Sequence, residues 1–453
     1  MSHFIVTDRN TDYLLPPSLD DWLNEGHLAR FVVEVVDQLD LSNLTRQYAG
    51  RGSKAHHPAT LLAILVYGYA TGVFSSRRLE RATYDSVAFR YIAAGSHPDH
   101  DTLATFRRRF LGELEGLFVQ VLELAQEMKL LKLGTLCLDG TKLHANASRH
   151  SALSHGHIEK LEVQLKAEVQ ELLALAEQAD QADIPDGVSL PEEIKRREDR
   201  LAVMAAAKLK IAARAEERYQ REKAEHDEKM ARRAAKEKDS GKKPAGKLPQ
   251  APEPGPKDSD QINLTDEESR IMPVAGGGFE QAYNAQAAVD AATMLVVATR
   301  VTQAPNDKEQ VSPMLETLRA QQMLGAVECL IADTGFSSEK NLQACEAARV
   351  EPLIALARDE HHPGWRERHS EPGPLPDTAT PMQSMAHRLK TKAGRALYAL
   401  RKQTVEPVFG IIKSVMGFRQ FSLRGLKKVN GEWSLVCLAW NVKRMAKLHQ
   451  EFG

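Results

Sequence analysis

Leu133-Gly-Thr-Leu-Cys-Leu138-Asp-Gly-Thr-Lys-Leu-His144 is the stretch whose reading decides the fold. Its opening residues are apolar and include a β-branched Thr. The run is too short for a helix, so it predicts a buried strand over 133–138 with Asp139 at its end. A strand end holds a charged side chain on rigid backbone, as a reactive site requires. A turn or cap aspartate reads the same way by itself. The meaning of Asp139 therefore depends on what joins it.

The same pattern returns downstream. Val327 to Ala332 predicts a second buried strand, ending in Asp333-Thr-Gly-Phe336. Ser337 or Ser338 should cap a helix running to Val350, and Pro352 to Ala357 predicts another strand. Between the two aspartates, 281–289 alternates, with Tyr283, Ala285, Ala287 and Val289 on one side. Leu295 to Val301 is a β-branched run, and Asp290-Ala-Ala-Thr293 suits a hairpin turn between them. A helix is expected from near Asp307, with Asp307 as its N-cap. Strands alternating with helices imply an α/β fold with a mixed sheet.

The third part is basic. Met382 to Asn430 contains eleven Lys or Arg and one carboxylate, Glu406. Such a face attracts phosphate backbones through charge and counterion release. A lone Glu there repels the same phosphates, unless a divalent cation lies between them. A salt bridge to Lys402 or Lys413, at helical spacing from Glu406, explains it equally well. Pro407 should start or kink a helix directly after Glu406.

Residues 17–130 read as helical. Leu28, Phe31, Val32, Val35 and Val36 recur at helical spacing, as do Leu61, Leu62, Ile64, Leu65 and Tyr69, with Pro58 in the first turn. One further helix carries Arg77, Arg78, Arg81 and Arg90. After a Ser-His-Pro-Asp-His-Asp turn, in which the histidines serve as turn and cap residues, a helix from about Thr102 bears Arg107, Arg108 and Arg109. The pair is a candidate helix-turn-helix, or an ordinary surface helix. Residues 157–240 are rich in Ala, Glu, Lys and Leu. They carry an apolar stripe, Ile158, Leu161, Leu165, Val169, Leu172 and Ala176, broken at Ile184-Pro-Asp-Gly187. Ile194, Leu201, Met204 and Ile211 mark a second helix, giving a helical hairpin or coiled coil. His150, His155 and His157 at its base lack the neighbours of a metal cluster. A Pro-rich extended linker follows from Lys242 to Asp260.

The formal net charge is −1, so the distribution of charge, not its sum, points to nucleic acid. Four scattered cysteines without a CxxC pair fit free thiols in a reducing compartment and exclude a zinc motif. The N-terminus lacks a signal peptide, and Leu61 to Phe74 is too short to span a bilayer. A cytoplasmic protein without membrane contact is expected.

Three blocks resemble DDE transposases of bacterial insertion sequences: Leu138-Asp-Gly-Thr-Lys142, Ile331-Ala-Asp-Thr-Gly-Phe336 and Val405-Glu-Pro-Val-Phe-Gly-Ile-Ile-Lys413. The last resembles the group with a Tyr–Arg–Glu–Lys signature, including the six residues between Glu406 and Lys413. Tyr398-x-x-Arg401 fits as well, but Arg401 lies one residue too far from Glu406 while Lys402 sits at the expected distance. His57-Pro-Ala-Thr-Leu-Leu62 and Asp101 to Phe110 are similar to that group's helical N-terminal domain. The resemblance implies an RNase H-like mixed sheet flanked by helices, with an all-α N-terminal domain and a coiled-coil-like insertion. It implies Asp139, Asp333 and Glu406 as ligands of Mg²⁺, or Mn²⁺ in its place. Tyr398, Arg401, Lys402, Lys413 and Arg107 to Arg109 would contact DNA. The expected domains are a helical DNA-binding domain (1–130), the first catalytic part (131–156), the insertion (157–240), a linker (241–262) and the remaining catalytic part with basic helices (263–453). The implied activity is cleavage of element ends and 3′-hydroxyl strand transfer. Its partners would be terminal inverted repeats and target DNA, bound as a homodimer and associated with the nucleoid. A nuclease of this fold without strand transfer, or an inactive sequence-specific DNA-binding protein, are the alternatives.

Overall fold

Strand β1 (Thr135–His144) runs through the centre of the sheet. The computed structural model describes residues 18–48, 55–177, 189–241, 246–274, 276–321, 324–356, 364–366, 370–376 and 378–452. The expected break at Ile184–Gly187 lies outside them. The chain divides into two compact units, one of residues 1–144, 272–278 and 282–453, the other of 145–271 and 279–281.

In the first unit, helices α1 (Leu28–Asp37), α2 (Ser42–Thr45), α3 (Pro58–Thr71), α4 (Ser76–Asp85), α5 (Val87–Ile92), α6 (His100–Arg109) and α7 (Leu114–Glu127) precede β1. The helix expected to carry all of Arg77 to Arg90 is two. Ser86 adopts an extended conformation (φ −112°, ψ 125°) and breaks the helical ladder between α4 and α5. Asp99 caps α6 by accepting the Thr102 N–H at 2.8 Å. His97 stacks on Tyr84, and His100 pairs with Glu80 at 2.7 Å, so both histidines serve local structure. Helix α3 is apolar on every side and almost wholly buried, as a core helix must be. No single helix among the described residues is long and apolar enough to cross a membrane.

In the second unit, β2 (Ala152–Ser154) leads into α8 (His155–Glu177) and the long α9 (Leu190–Ser240), and β3 (Gln261–Asn263) pairs with β2. Ile158 and Leu165 of α8 bury against Met204, Ala207 and Ile211 of α9 and Ile262 of β3, with Leu161 and Leu201 partly buried beside them. The expected helical hairpin is therefore present. Residues 246–260 form no helix or strand and return along α9. There Arg218 pairs with Asp260 at 2.6 Å and donates to the Gly255 carbonyl at 3.1 Å.

The sheet is completed by β4 (Arg270–Pro273), β5 (Phe279–Asp290), β6 (Val296–Thr302), β7 (Cys329–Ala332) and β8 (Glu351–Ile354), in the order β4-β5-β1-β7-β8 with β6 also on β5. Antiparallel β5–β1 and β5–β6 pairs meet parallel β1–β7 and β7–β8 pairs, a mixed sheet as the sequence implied. Helix α10 (Val311–Ala320) joins β6 to β7, and α11 (Glu339–Ala348), capped by Ser338, joins β7 to β8. Asp290 closes the β5–β6 hairpin by accepting the Thr293 N–H and hydroxyl.

The basic stretch forms α12 (Pro381–Lys390), α13 (Lys392–Gly410), a π-helical stretch at Ile411–Val415 and α14 (Leu426–Phe452). Pro407 lies inside α13, so no helix starts there. A π stretch follows the helix, where the Met416 N–H donates to the Ile411 carbonyl at 2.9 Å. Helix α14 packs on β6, α3 and α7. Asn441 accepts the Val296 N–H at 2.8 Å and donates to the Val296 carbonyl at 2.7 Å, while Asn430 accepts the Val301 N–H at 2.9 Å. These amides satisfy backbone groups of β6 that would otherwise lack a strand partner. Trp433 and Trp440 are buried, donating to the carbonyls of Gln286 and Met294. Both pack the helix on the core.

Candidate active site

Asp139 does not end its strand. β1 continues to His144 because the long β5 keeps pairing with it, through His144↔Ala282. The parallel partner is what stops: β7 ends at Ala332, opposite Leu138. Asp139 thus sits one residue past the end of β7, and Asp333 is the first residue beyond that end. The two aspartates leave neighbouring strands at the same level of the sheet. Asp333 accepts the Gly335 N–H at 2.8 Å, which turns the chain in a short 3-10 helix, Thr334–Phe336.

Helix α13 packs against β1 and brings the third carboxylate. The Arg401 guanidinium donates to Asp139 Oδ2 at 3.0 Å and to Glu406 Oε1 at 2.7 Å. Arg401 and Asp139 are mostly buried, with side chains 14% and 15% exposed, while Glu406 is 46% exposed. Residues 139 and 406 are thus bridged by one cation. Of the two basic residues at this position of the signature, Arg401 makes the contact and Lys402 is exposed to solvent. Tyr398 is half-buried, and the Arg401 guanidinium counters the upward push of burial on its hydroxyl.

Burial pushes the Asp139 carboxyl up to about 6. The charges of Asp333 and Asp307 push the same way, against the Gly140 N–H and Arg401. Desolvation, helped by the two neighbouring carboxylates, thus outweighs the arginine beside it. Lys413, on the π stretch, is lowered mainly by desolvation and further by the ammonium of Lys142.

Asp307 is the residue that sequence reasoning misassigned. Helix α10 begins at Val311 behind Gln310, and Asp307 caps nothing. Its Oδ1 accepts from Asn284 Nδ2 at 2.7 Å and Gln286 Nε2 at 2.5 Å, and lies 3.8 Å from Lys142 Nζ. Asn284 and Gln286 face Lys142 and Gly140 across the β1–β5 ladder. The space above Gly140 is filled by Gln286, Asp307 and Asn284, so any side chain there would collide with them. The Asp-Gly pairing in the first block follows: strand backbone must pass close under a polar cluster. Alternation along β5 carried the sequence signal, two amides at i and i+2 among the Ala, Tyr and Val of 282–289.

The three N-terminal arginines do not act together. Arg107 is 9% exposed and donates to Tyr69 Oη at 3.0 Å and the Phe74 carbonyl at 3.1 Å. Tyr69 in turn donates to Glu432 at 3.0 Å, and Glu432 accepts the N–H groups of Ser422 and Leu423. Arg107 is thus part of a buried network tying α3 and α6 to α14, which corrects its assignment to a DNA-facing set. Arg108 is exposed; Arg109 hydrogen-bonds the Gln47 carbonyl and lies over Tyr48 and Phe110. In the second unit, His155, Glu159 and Asp258 bring ligand atoms within 4.8 Å of one another, which the sequence did not suggest. Lys208 lies 3.7 Å from Glu159 and already supplies it with a counter-charge.

Residues 17–109 match a transposase domain (DUF772), and residues 375–446 match a transposase DDE domain. The first match spans α1 to α6. The second spans α12, α13 and most of α14, and so includes Tyr398, Arg401, Glu406 and Lys413. Asp139 and Asp333 fall between the two matches. No curated protein matches the chain.

Proposed function

For a chain that belongs to the DDE transposases of insertion sequences, we propose that Asp139, Asp333 and Glu406 form the phosphoryl-transfer site and hold Mg²⁺, or Mn²⁺ in its place. One observation carries this reading: a cation, the Arg401 guanidinium, bridges Asp139 and Glu406, carboxylates from β1 and α13. Three carboxylates with a fourth, Asp307, close by offer hard oxygen donors suited to Mg²⁺ rather than zinc. Burial, with smaller contributions from Asp333 and Asp307, keeps Asp139 raised even with Arg401 in place, so a bound cation would offset a real cost of ionising it. The residues fit the metal.

A bound divalent ion would activate the attacking oxygen and stabilise the leaving one in an in-line displacement. The chain's own residues do the rest. Sheet backbone would hold Asp139 and Asp333 at one level, and α13 would bring Glu406 to Asp139 through Arg401. Arg401 offsets part of the charge of Asp139 and Glu406, and its guanidinium would be free to pair with a DNA phosphate if a divalent ion held them. Lys413 and the exposed Lys402 add positive charge along the strand path, and Tyr398 orients Arg401. Water attack breaks the P–O3′ bond at the element end, leaving a 3′-hydroxyl and a 5′-phosphate. The freed 3′-hydroxyl attacks a target phosphodiester, forming a new P–O bond as the target's own 3′ oxygen departs. The N-terminal helices, with Arg108 exposed on α6, would read the terminal inverted repeats, and two copies would hold two ends in the nucleoid.

The test is strand cleavage of a DNA fragment carrying the gene's flanking sequence, with Mg²⁺ or Mn²⁺, by wild type and Glu406→Gln. Cleavage at the 3′ ends by wild type alone supports the assignment. Equal cutting by both removes Glu406 from the site, and binding without cutting by either favours the DNA-binding alternative.

A further inference from the structure

Lys142 lies on β1 three residues after Asp139, and none of the roles above uses it. Its ammonium is 3.8 Å from Asp307 Oδ1, and the two side chains are only 15% and 17% exposed. Asp307 is in turn held by the amides of Asn284 and Gln286, both fully buried. The amide oxygens of these two residues have no hydrogen-bond partner. Buried oxygens without donors are costly, and the Asn284 oxygen lies over Gly140, two residues before Lys142.

A second set of contacts brings Lys413 to the same place. The end of β1 is stitched to the loop after the π stretch: the His144 N–H donates to the Arg419 carbonyl at 3.1 Å, and the Phe421 N–H donates to the His144 carbonyl at 2.9 Å. Arg419 Nε donates to the Lys413 carbonyl at 2.9 Å. The stitch fixes Lys413 beside the strand that carries Lys142. Each ammonium is lowered chiefly by desolvation, and the Lys142 charge further lowers Lys413. The Asp139 charge reaches both ammonium groups, so two partly desolvated cations share one carboxylate that the proposed metal site also claims.

We infer that Lys142 and Lys413 together form the seat of a DNA phosphate next to Asp139, and that Asp307, gripped by Asn284 and Gln286, is the positioning residue that aims Lys142. The inference rests on the phosphoryl-transfer reading above and adds to it two residues and the placement of the substrate. With Asp307 fixed, Lys142 is held on one side only, leaving its remaining N–H donors for the incoming strand. Lys142 is thus more than the counter-ion of Asp307.

The test is the salt dependence of binding to a fluorescent duplex bearing the gene's flanking sequence, with the full chain, for wild type, Lys142→Met and Asp307→Asn. Methionine keeps the bulk of the lysine stem and removes its charge. One lost phosphate contact flattens the log–log slope by about 0.9, so a fourfold rise in salt weakens wild type about 3.5-fold more than Lys142→Met. Asp307→Asn retains the Lys142 charge and keeps the wild-type slope. Its cleavage turnover falls while its KM for the duplex does not rise, because the cation is present but misaimed. A purely structural Asp307 would instead lower the melting temperature and leave turnover per folded molecule unchanged, which overturns its positioning role. An unchanged slope for Lys142→Met overturns the phosphate seat even if wild type binds and cuts. Failure of wild type to bind the duplex overturns the transposase reading itself, and the inference with it.

Discussion

Asp139→Asn should stabilise the metal-free protein while abolishing cleavage. The Asp139 carboxyl lies at about 6 in the folded chain against an ordinary 3.8, chiefly because it is desolvated and secondarily because Asp333 and Asp307 share its surroundings. Ionising it in the folded state therefore costs about 3 kcal/mol, at about 1.4 kcal/mol per tenfold change in equilibrium. The sign follows from linkage. A carboxyl raised on folding contributes stability that is full below pH 3.8 and is lost as pH rises through about 6. Asn mimics the neutral acid at every pH. The stability difference, mutant minus wild type, should thus grow from near zero at about pH 3 to about 3 kcal/mol at about pH 8. Denaturant unfolding in chelator at several pH values measures it, and other titrating groups cancel in the difference. Adding Mg²⁺ at pH 8 should then raise wild type by about 2.7 kcal/mol at a hundred times its Kd and leave the mutant behind. A pH-independent difference, or a mutant less stable than wild type at pH 8, refutes the raised Asp139 carboxyl.

Glu406→Gln should retain binding to end DNA but cut at least about a hundredfold more slowly, since losing a direct ligand exceeds the usual effect of a supporting residue. A gel-shift and a cleavage assay on one preparation decide it. Arg401→Ala strips Asp139 and Glu406 of their shared cation. It should cost about 1–3 kcal/mol in chelator and show a larger Mg²⁺-induced rise in melting temperature than wild type. An equal rise in both proteins argues against competition between arginine and metal. Gly140→Ala drives a methyl into Gln286, Asp307 and Asn284 and should destabilise by about 1–3 kcal/mol in thermal unfolding, with loss of cleavage. Glu432→Ala leaves Tyr69 and the N–H groups of Ser422 and Leu423 without their buried acceptor. Its cost, about 2–4 kcal/mol by denaturant titration, should appear without any change in the metal dependence of unfolding.

What the chain determines locally is legible in its sequence alone. Apolar runs of strand length mark β1, β5, β6, β7 and β8, and helical periodicity marks α1, α3, α8 and α9, because each pattern reflects which face is buried. Caps with one acceptor and a near donor, such as Asp99 and Ser338, are also readable at short range. The expected α/β fold, with helices before it and a helical insertion within it, follows from those patterns. Three matters depend on partners far away in sequence. Asp139 reads as a strand end, but only the length of β5 decides that β1 continues and only the end of β7 decides where it opens. Asp307 and Asp290 both flank strands, and no local rule separates a hairpin aspartate from one gripped by two buried amides of another strand. Arg107, Arg108 and Arg109 are one charge run in sequence, yet α6 turns the first inward onto Tyr69 and leaves the second in water. Periodicity reports which side of an element is buried. It cannot report what lies there, because an ion pair between residues such as Arg401 and Asp139 exists only after the sheet and α13 have packed.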